Sequence, residues 1–234
     1  MPGIAENLKA VCARIDAAGR KYGRAAGDVS LLAVSKTWPA TSVRAAFSAG
    51  QRAFGENYVQ EGVEKVEALL DLPIEWHFIG PVQSNKTRLI ATHFSWVHSL
   101  DRLKVAQRLS EQRDPQLPAL KVCLQVNVSG EASKSGVSPA DLPALAAAVA
   151  GLPRLALVGL MCIPEPSADE ALLRSRFRLL GELRDAVSAQ LGLPMPVLSM
   201  GMSDDLELAI AEGATLVRVG SAIFGARVSP EQST

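Results

Sequence analysis

Two hydrophobic periods alternate along the chain. Apolar residues at Ile4, Leu8, Val11, Cys12, Ile15 and Ala18 recur at helical spacing and predict a helix over 4–22, with Gly23 as its stop. From there on, short apolar runs of strand length take turns with longer amphipathic segments. The runs predict strands over 31–35, 52–57, 75–79, 95–99, 120–127, 155–163, 197–200 and 216–219. The segments between them predict helices over 41–48, 59–70, 85–92, 102–112, 139–150, 167–191 and 204–212, and a short helical turn from 221. Gly50 and Gly192 stand where two of these helices must end, and Pro39 and Gly80-Pro81 stop two of the strands.

Each strand run is followed by a helical one. Such alternation asks for a parallel sheet, because a parallel pair needs a crossover and a helix is the usual one. Eight units in 234 residues predict a closed (β/α)8 TIM barrel, an α/β fold, as a single domain over 1–234 with the first helix as an N-terminal addition. The alternative is an open doubly wound sheet. Its dinucleotide-binding form is disfavoured, since no GxGxxG follows the first strand.

Composition narrows the partners. With 48% hydrophobic residues the chain can bury a large core, and its 24 basic and 24 acidic residues cancel without forming a run of one sign. Phosphate-backbone affinity needs a clustered basic face, so neither nucleic acid nor an anionic membrane is expected as a partner. The three cysteines, Cys12, Cys123 and Cys162, lack CxxC spacing and read as buried hydrophobes of a reducing compartment. The first turns mix Glu6, Lys9, Arg14 and Asp16 and carry no apolar leader. The most apolar region, 142–163, is interrupted by Pro143, Pro153 and Arg154. A cytoplasmic, monomeric protein is expected.

Chemistry in a barrel of this kind belongs at the C-terminal ends of the strands. The residues there are Lys36, Asn57, Gly80, Ser99, Asn127, Met161, the run Ser199-Met200-Gly201-Met202-Ser203, then Arg218, Gly220 and Ser221. Lys36 ends the apolar run Leu31-Leu32-Ala33-Val34. Partial burial there disfavours the ammonium form and makes the amine a nucleophile toward an aldehyde or ketone, while a lysine that snorkels to solvent is the bland alternative. The loops after the seventh and eighth strands, with Gly201, Ser203, Gly220 and Ser221, have the small, hydroxyl-rich character of a phosphate seat. Against it stands ordinary helix capping, with Asp204 and Glu207 at capping-box spacing. Arg218 takes a barrel-strand place usually given to Val, Ile or Leu; it either faces a ligand nitrogen that must stay unprotonated or is buried against a carboxylate. His77, His93 and His98 lack ligand spacing, so no metal is expected. Lys134 reads as a solvated loop lysine.

Seven motifs carry a resemblance. AVSKT at 33–37, FGENYVQE at 54–61, WHFIG at 76–80, QSNK at 83–86, GLM at 159–161, LSMGMS at 198–203 and RVGSAIFG at 218–225 together resemble the pyridoxal phosphate homeostasis proteins, the YggS/PROSC family. The resemblance spans nearly the whole chain. It implies a barrel similar to the N-terminal domain of alanine racemase, with pyridoxal 5'-phosphate as a Schiff base on Lys36. It further implies the phosphate on Ser199, Ser203, Gly220 and Ser221, with Arg218 toward the pyridine nitrogen and Asn57 near the ring. The family often has a second lysine where this chain has Trp38.

Three functions compete at this point. One is a carrier and regulator in vitamin B6 and amino-acid homeostasis, without catalytic residues and in transient contact with apo-enzymes that use the cofactor. The others are an amino-acid racemase using the same cofactor and an aldolase-like lyase using Lys36 directly. Alanine racemase resemblance implies a second base, a tyrosine from a further β domain. Only nine residues follow Gly225, and neither Tyr22 nor Tyr58 stands at a predicted strand end, which favours the carrier.

Overall fold

In the computed structural model, which describes residues 3–130 and 135–225, the alternation closes on itself. Strands β1 (Ser30–Val34), β2 (Ala53–Glu56), β3 (Glu75–Phe78), β4 (Trp96–Leu100), β5 (Leu120–Gln125), β6 (Leu155–Met161), β7 (Val197–Ser199) and β8 (Leu216–Val219) form a closed parallel barrel in chain order. The ladder from Ser30↔Leu216 to Ala33↔Val219 joins β8 to β1 and removes the open-sheet alternative. Around it lie α1 (Ile4–Lys21), α2 (Ala40–Ser48), α3 (Val59–Ala68), α4 (Thr87–His93), α5 (Leu103–Gln112), α6 (Leu142–Ala150), α7 (Glu170–Leu191), α8 (Leu206–Ala211) and α9 (Ser221–Phe224).

The core lies between barrel and helices. Phe54, Phe78, Phe94, Leu109, Leu142 and Phe177 are all fully buried there, and Phe78 meets Phe94 edge to face with ring centres 5.4 Å apart. Helix ends follow the glycine signals: α7 stops at Gly192 with φ 63°, a left-handed cap that costs glycine nothing. Boundaries move by about a turn or less where local chemistry competes. Helix α2 begins at Ala40, directly after Pro39 in an extended conformation and one residue before the expected start.

Helix α1 is an integral part of the wall. Its inward face, Leu8, Val11, Ile15 and Ala18, packs against α2, α8 and α9. Cys12 is exposed, which corrects the expectation of three buried cysteines: it lies beside that stripe and not on it. Cys123 and Cys162 are buried, and burial pushes both thiols up to about 12, so they are inert. Among the described residues, no helix is long and apolar enough to cross a membrane. Lys134 lies outside the described residues.

The barrel interior departs from the usual stacked aliphatic layers. Trp96, Cys123 and Met161 form a small apolar group of their own, and His77, His98, Ser199 and Arg218 are buried with them as polar members. Polar groups in that position must be mutually satisfied, because an unpaired one costs about 1–3 kcal/mol.

Candidate functional site

At the C-terminal ends of the strands a cavity of about 490 Å3 opens to solvent. Lys36, Asn57, Ser203, Arg218, Gly220 and Ser221 line it, with Trp38, Ile79 and Ile163 as apolar wall and Asp204 at its edge. Six of the eight residues expected to hold a ligand thus converge from β1, β2, β7 and β8. Ser199 and Gly201 are not on the wall.

Lys36 is presented by a clamp on the backbone at both sides of it. The Ser35 N–H donates to the Gly55 carbonyl at 3.0 Å, and the Ser35 hydroxyl donates to Glu56 Oε1 at 2.6 Å. Lys65, only 5% exposed, places Nζ 2.6 Å from the Ser35 carbonyl, 2.8 Å from Glu56 Oε1 and 2.7 Å from Glu61 Oε1. On the other side the Thr37 N–H donates to the same Glu61 oxygen at 2.5 Å. Thr37 has φ 69°, a left-handed conformation that a β-branched residue adopts only when its surroundings enforce it. Burial pushes the Glu56 carboxyl above its usual range, while Lys65 and Ser35 pull it back.

Asn57 is fixed by close packing. A Cβ on Gly80 would lie 2.0 Å from the Asn57 carbonyl oxygen, so only glycine allows the β3 end to approach β2 this closely. Asn57 Oδ1 is buried with no hydrogen-bond partner among the described residues, an acceptor on a cavity-lining side chain. The remaining strand-end residues point to structure. Ser99 donates to the Gly80 carbonyl, and Asn127 Oδ1 accepts from the Ser129 and Gly130 N–H groups in an Asx turn.

Arg218 is 4% exposed and makes no salt bridge among the described residues. Its Nη1 donates to the Ser199 carbonyl at 2.6 Å and the Ser199 hydroxyl at 2.9 Å, and its Nη2 to the Cys162 carbonyl at 2.9 Å. Burial against carboxylates, the alternative for this residue, is not what holds it: backbone carbonyls and one hydroxyl do. Desolvation lowers the guanidinium pKa from its ordinary value, with Cys162 and Asp205 opposing, and a group that starts so high stays charged. Ser199 is therefore engaged with Arg218, and its hydroxyl also meets His98 Nδ1 at 2.8 Å.

The hydroxyls of Ser203 and Ser221 converge at 3.4 Å, one from the loop after β7 and one from the start of α9. Helix α1 fastens both loops: Arg14 donates to the Ser203 carbonyl at 3.1 Å, and Asn7 to the Ile223 carbonyl at 2.9 Å. Gly201 makes the turn beneath, with φ 91°, and its carbonyl accepts the Arg218 N–H at 2.9 Å. Glu207 pairs with Arg14 at 2.8 Å, and Asp205 accepts the Met202 N–H at 2.6 Å, so these carboxylates brace the loop and the alternative Asp204–Glu207 capping box does not form.

Sequence reasoning missed five contributors. Trp38 stacks on Phe224 with ring centres 6.0 Å apart, and its neighbourhood to Lys36 was the available signal. The α1 anchors Asn7 and Arg14 left no signal in periodicity, because both sit outside the apolar stripe. His77 and His98 lack ligand spacing in the sequence and gave no other signal, and among the described residues no cluster able to hold a metal is found.

Comparison with known proteins places these features among relatives. The family described as alanine racemase, N-terminal domain, matches residues 7–228. A pyridoxal phosphate homeostasis protein of Pseudomonas aeruginosa is 63% identical over 227 residues, 97% of each chain. Its namesake in Escherichia coli is 52% identical over 235 residues, 97% of this chain and 98% of that one. PipY of Synechococcus elongatus PCC7942, solved with PLP bound, superposes with a TM-score of 0.84 at 38% identity, covering 95% of this chain and all of that one. An alanine racemase of Corynebacterium glutamicum shares the fold, with a TM-score of 0.69 at 18% identity over 98% of this chain and 63% of that one.

Proposed function

Because the chain belongs to the pyridoxal phosphate homeostasis protein family, within the alanine racemase N-terminal domain family, we propose that it holds pyridoxal 5'-phosphate as a Schiff base on Lys36 and acts as a carrier in vitamin B6 homeostasis. The observation that carries this reading is the single cavity joining an amine, two convergent serine hydroxyls, one of them at a helix start, an amide oxygen without a partner among the described residues and a buried guanidinium. Each group suits one part of the cofactor. The Lys36 amine condenses with the aldehyde, forming a carbon–nitrogen double bond and releasing water. Ser203, Gly220 and Ser221 receive the phosphate, where glycine admits close approach and the first turn of α9 offers N–H donors. Arg218 donates toward the ring nitrogen and, never giving up its proton, keeps that nitrogen uncharged. Asn57 offers Oδ1 to a donor on the ligand. The placement of Ser199 supports a different part for it than phosphate contact: it holds Arg218.

The same wall supports holding over turnover. Bound pyridoxal 5'-phosphate would supply an electron sink for carbanion chemistry, which becomes two-base racemisation only with a second base besides Lys36. Beside Lys36, the titratable residues lining the cavity among the described residues are Asp204 and Arg218. Arg218 is no base, and Asp204 stands at the phosphate loop.

Purified protein reduced with borohydride is expected to carry one pyridoxyl-phosphate group on the Lys36 peptide, and Lys36→Ala to lose both the adduct and the visible absorbance. Wild type should exchange no amino-acid α-proton with deuterated water. An adduct elsewhere, or none after adding the cofactor, would overturn the Schiff base on Lys36, and robust Lys36-dependent exchange would overturn the carrier in favour of a racemase.

A further inference from the structure

A file of hydrogen bonds runs through the barrel from Arg218 at the cavity to His77, which ends 3.6 Å short of Glu75 at the opposite mouth. Strands β4 and β7 are not neighbours in the barrel, so the 2.8 Å contact between His98 Nδ1 and Ser199 Oγ spans the interior. On one side Ser199 Oγ accepts from Arg218 Nη1 at 2.9 Å. On the other, His98 Nε2 meets His77 Nδ1 at 2.9 Å, and His77 Nε2, buried without a hydrogen-bond partner among the described residues, has Glu75 Oε2 as its facing charge at 3.6 Å. Glu75 stands half-exposed at the N-terminal mouth, held by Trp96 Nε1 at 2.7 Å and Lys121 Nζ at 3.2 Å. The His77 ring lies flat against Trp96 at 4.8 Å, which fixes its plane.

The two ends set the direction of every proton between them. Arg218 can only donate, and an ionised carboxylate can only accept. His77, Trp96 and Lys121 hold Glu75 down at about 2, so it is ionised at neutral pH. The Ser199 Oγ–H must then donate to His98 Nδ1, His98 Nε2–H donates to His77 Nδ1, and His77 Nε2–H points at Glu75. Both rings stay neutral in this arrangement, in keeping with burial lowering the pKa of each, helped at His98 by its neighbours His77 and Arg218. The reverse order would turn a ring lone pair toward the Glu75 carboxylate and give Ser199 two donors and no acceptor on this file.

We propose that His98, backed by His77 and Glu75, is a positioning residue that acts through Ser199 to fix the orientation in which Arg218 meets the ligand. The proposal deepens the reading of Arg218 as the partner of the cofactor's ring nitrogen and rests on it. Three of the five guanidinium donors are held by Ser199 and Cys162, and the Ser199 hydroxyl can serve Arg218 as a pure acceptor only while His98 takes its proton. No residue of the file beyond Arg218 lines the cavity, so its effect on the ligand is indirect.

Two readouts test it on the full chain. Long-range 15N–1H spectra of the cofactor-free protein at neutral pH are expected to show His98 and His77 each protonated on Nε2 alone. Protonation of His98 on Nδ1, or on both nitrogens, would overturn the proposal. Ser199→Ala and His98→Phe are each expected to weaken pyridoxal 5'-phosphate binding about tenfold, the range of one hydrogen bond to a charged group. Both should shift the visible band of the bound form alike, with the borohydride adduct still on Lys36. The double variant should be no worse than either single one, since both break the same file. Wild-type affinity and band in folded His98→Phe, or additive losses, would overturn it. Should His98→Phe fail to fold, Ser199→Ala alone decides by the same measure. Absence of a Lys36 adduct in wild type would sink the functional reading instead, and the ring tautomers would still be read from the cofactor-free spectrum.

Discussion

Lys65→Met is expected to destabilise the protein by about 3–5 kcal/mol, the range for removing one partner of a buried ion pair. The Lys65 and Glu56 side chains are 6% and 0% exposed, so neither charge has water to fall back on. Without the ammonium, the Glu56 carboxylate keeps only the Ser35 hydroxyl at 2.6 Å, and its Oε2 is already buried without a partner among the described residues. The Ser35 carbonyl loses its donor in the same step. Removing both charges is different: Glu56→Leu with Lys65→Met should recover most of the loss, because the desolvation cost disappears with the attraction. Urea unfolding of the three proteins checks this, and equal midpoints for wild type and Lys65→Met would show that the pair contributes nothing. The clamp also predicts a local consequence. Ser35 and Thr37 flank Lys36 and are both tied to this network, so Lys65→Met should slow adduct formation at Lys36 even where the protein remains folded.

How far the sequence was legible follows from which residues speak locally. Strand and helix order could be read because a barrel strand buried on both faces has to be an uninterrupted apolar run, and the helix on its outside has to be amphipathic. Lys36 and Arg218 stood out because each is a charge inside such a run. Gly201, Gly220 and the serines beside them were recognisable as loop chemistry, but not the division of labour among them. Ser199 and Ser203 are the same residue type four positions apart; one turns into the barrel to hold Arg218 and the other lines the cavity with Ser221. That difference is set by where β7 ends and how Gly201 turns the chain, which no spacing encodes. The pairing of His98 with Ser199 joins residues 101 positions apart, and Arg14 reaches Ser203 across 189. Contacts of that range depend on barrel closure and were out of reach of local patterning. The acidic residues show the reverse case, where a valid local rule lost. Glu207 has capping-box spacing from Asp204, yet the bidentate geometry of Arg14, beside the apolar stripe of α1, takes it.

Lowering the pH below about 6.5 is expected to unfold the protein progressively through the two barrel histidines. His77 and His98 are neutral in the folded chain because burial depresses both, His98 the further through His77 and Arg218. In the unfolded chain each takes a proton near its ordinary value. Between the folded and unfolded pKa values the unfolded state binds more protons, so stability is complete above the unfolded value and falls as pH drops through it. Two such groups give a limiting slope of about 2.7 kcal/mol per pH unit. Glu56 and Asp205 act in the opposite sense, since burial raises both and the folded state binds their protons first as pH falls. Glu75, held at about 2, adds to the loss only below its ordinary range. Lys121 beside His77 further disfavours a second positive charge there. The histidine slope should therefore be clearest from about pH 6.5 to 5, before the carboxylates titrate in bulk. Urea unfolding across that range checks it, and His98→Phe should lower the slope by about half, to ~1.4 kcal/mol per pH unit. A wild-type stability flat from pH 7 to 5 would mean that the folded rings take up protons as readily as those of the unfolded chain. That result would contradict the neutral file of hydrogen bonds from Arg218 to His77 as well, because a charged His98 has no lone pair left to accept the Ser199 hydroxyl.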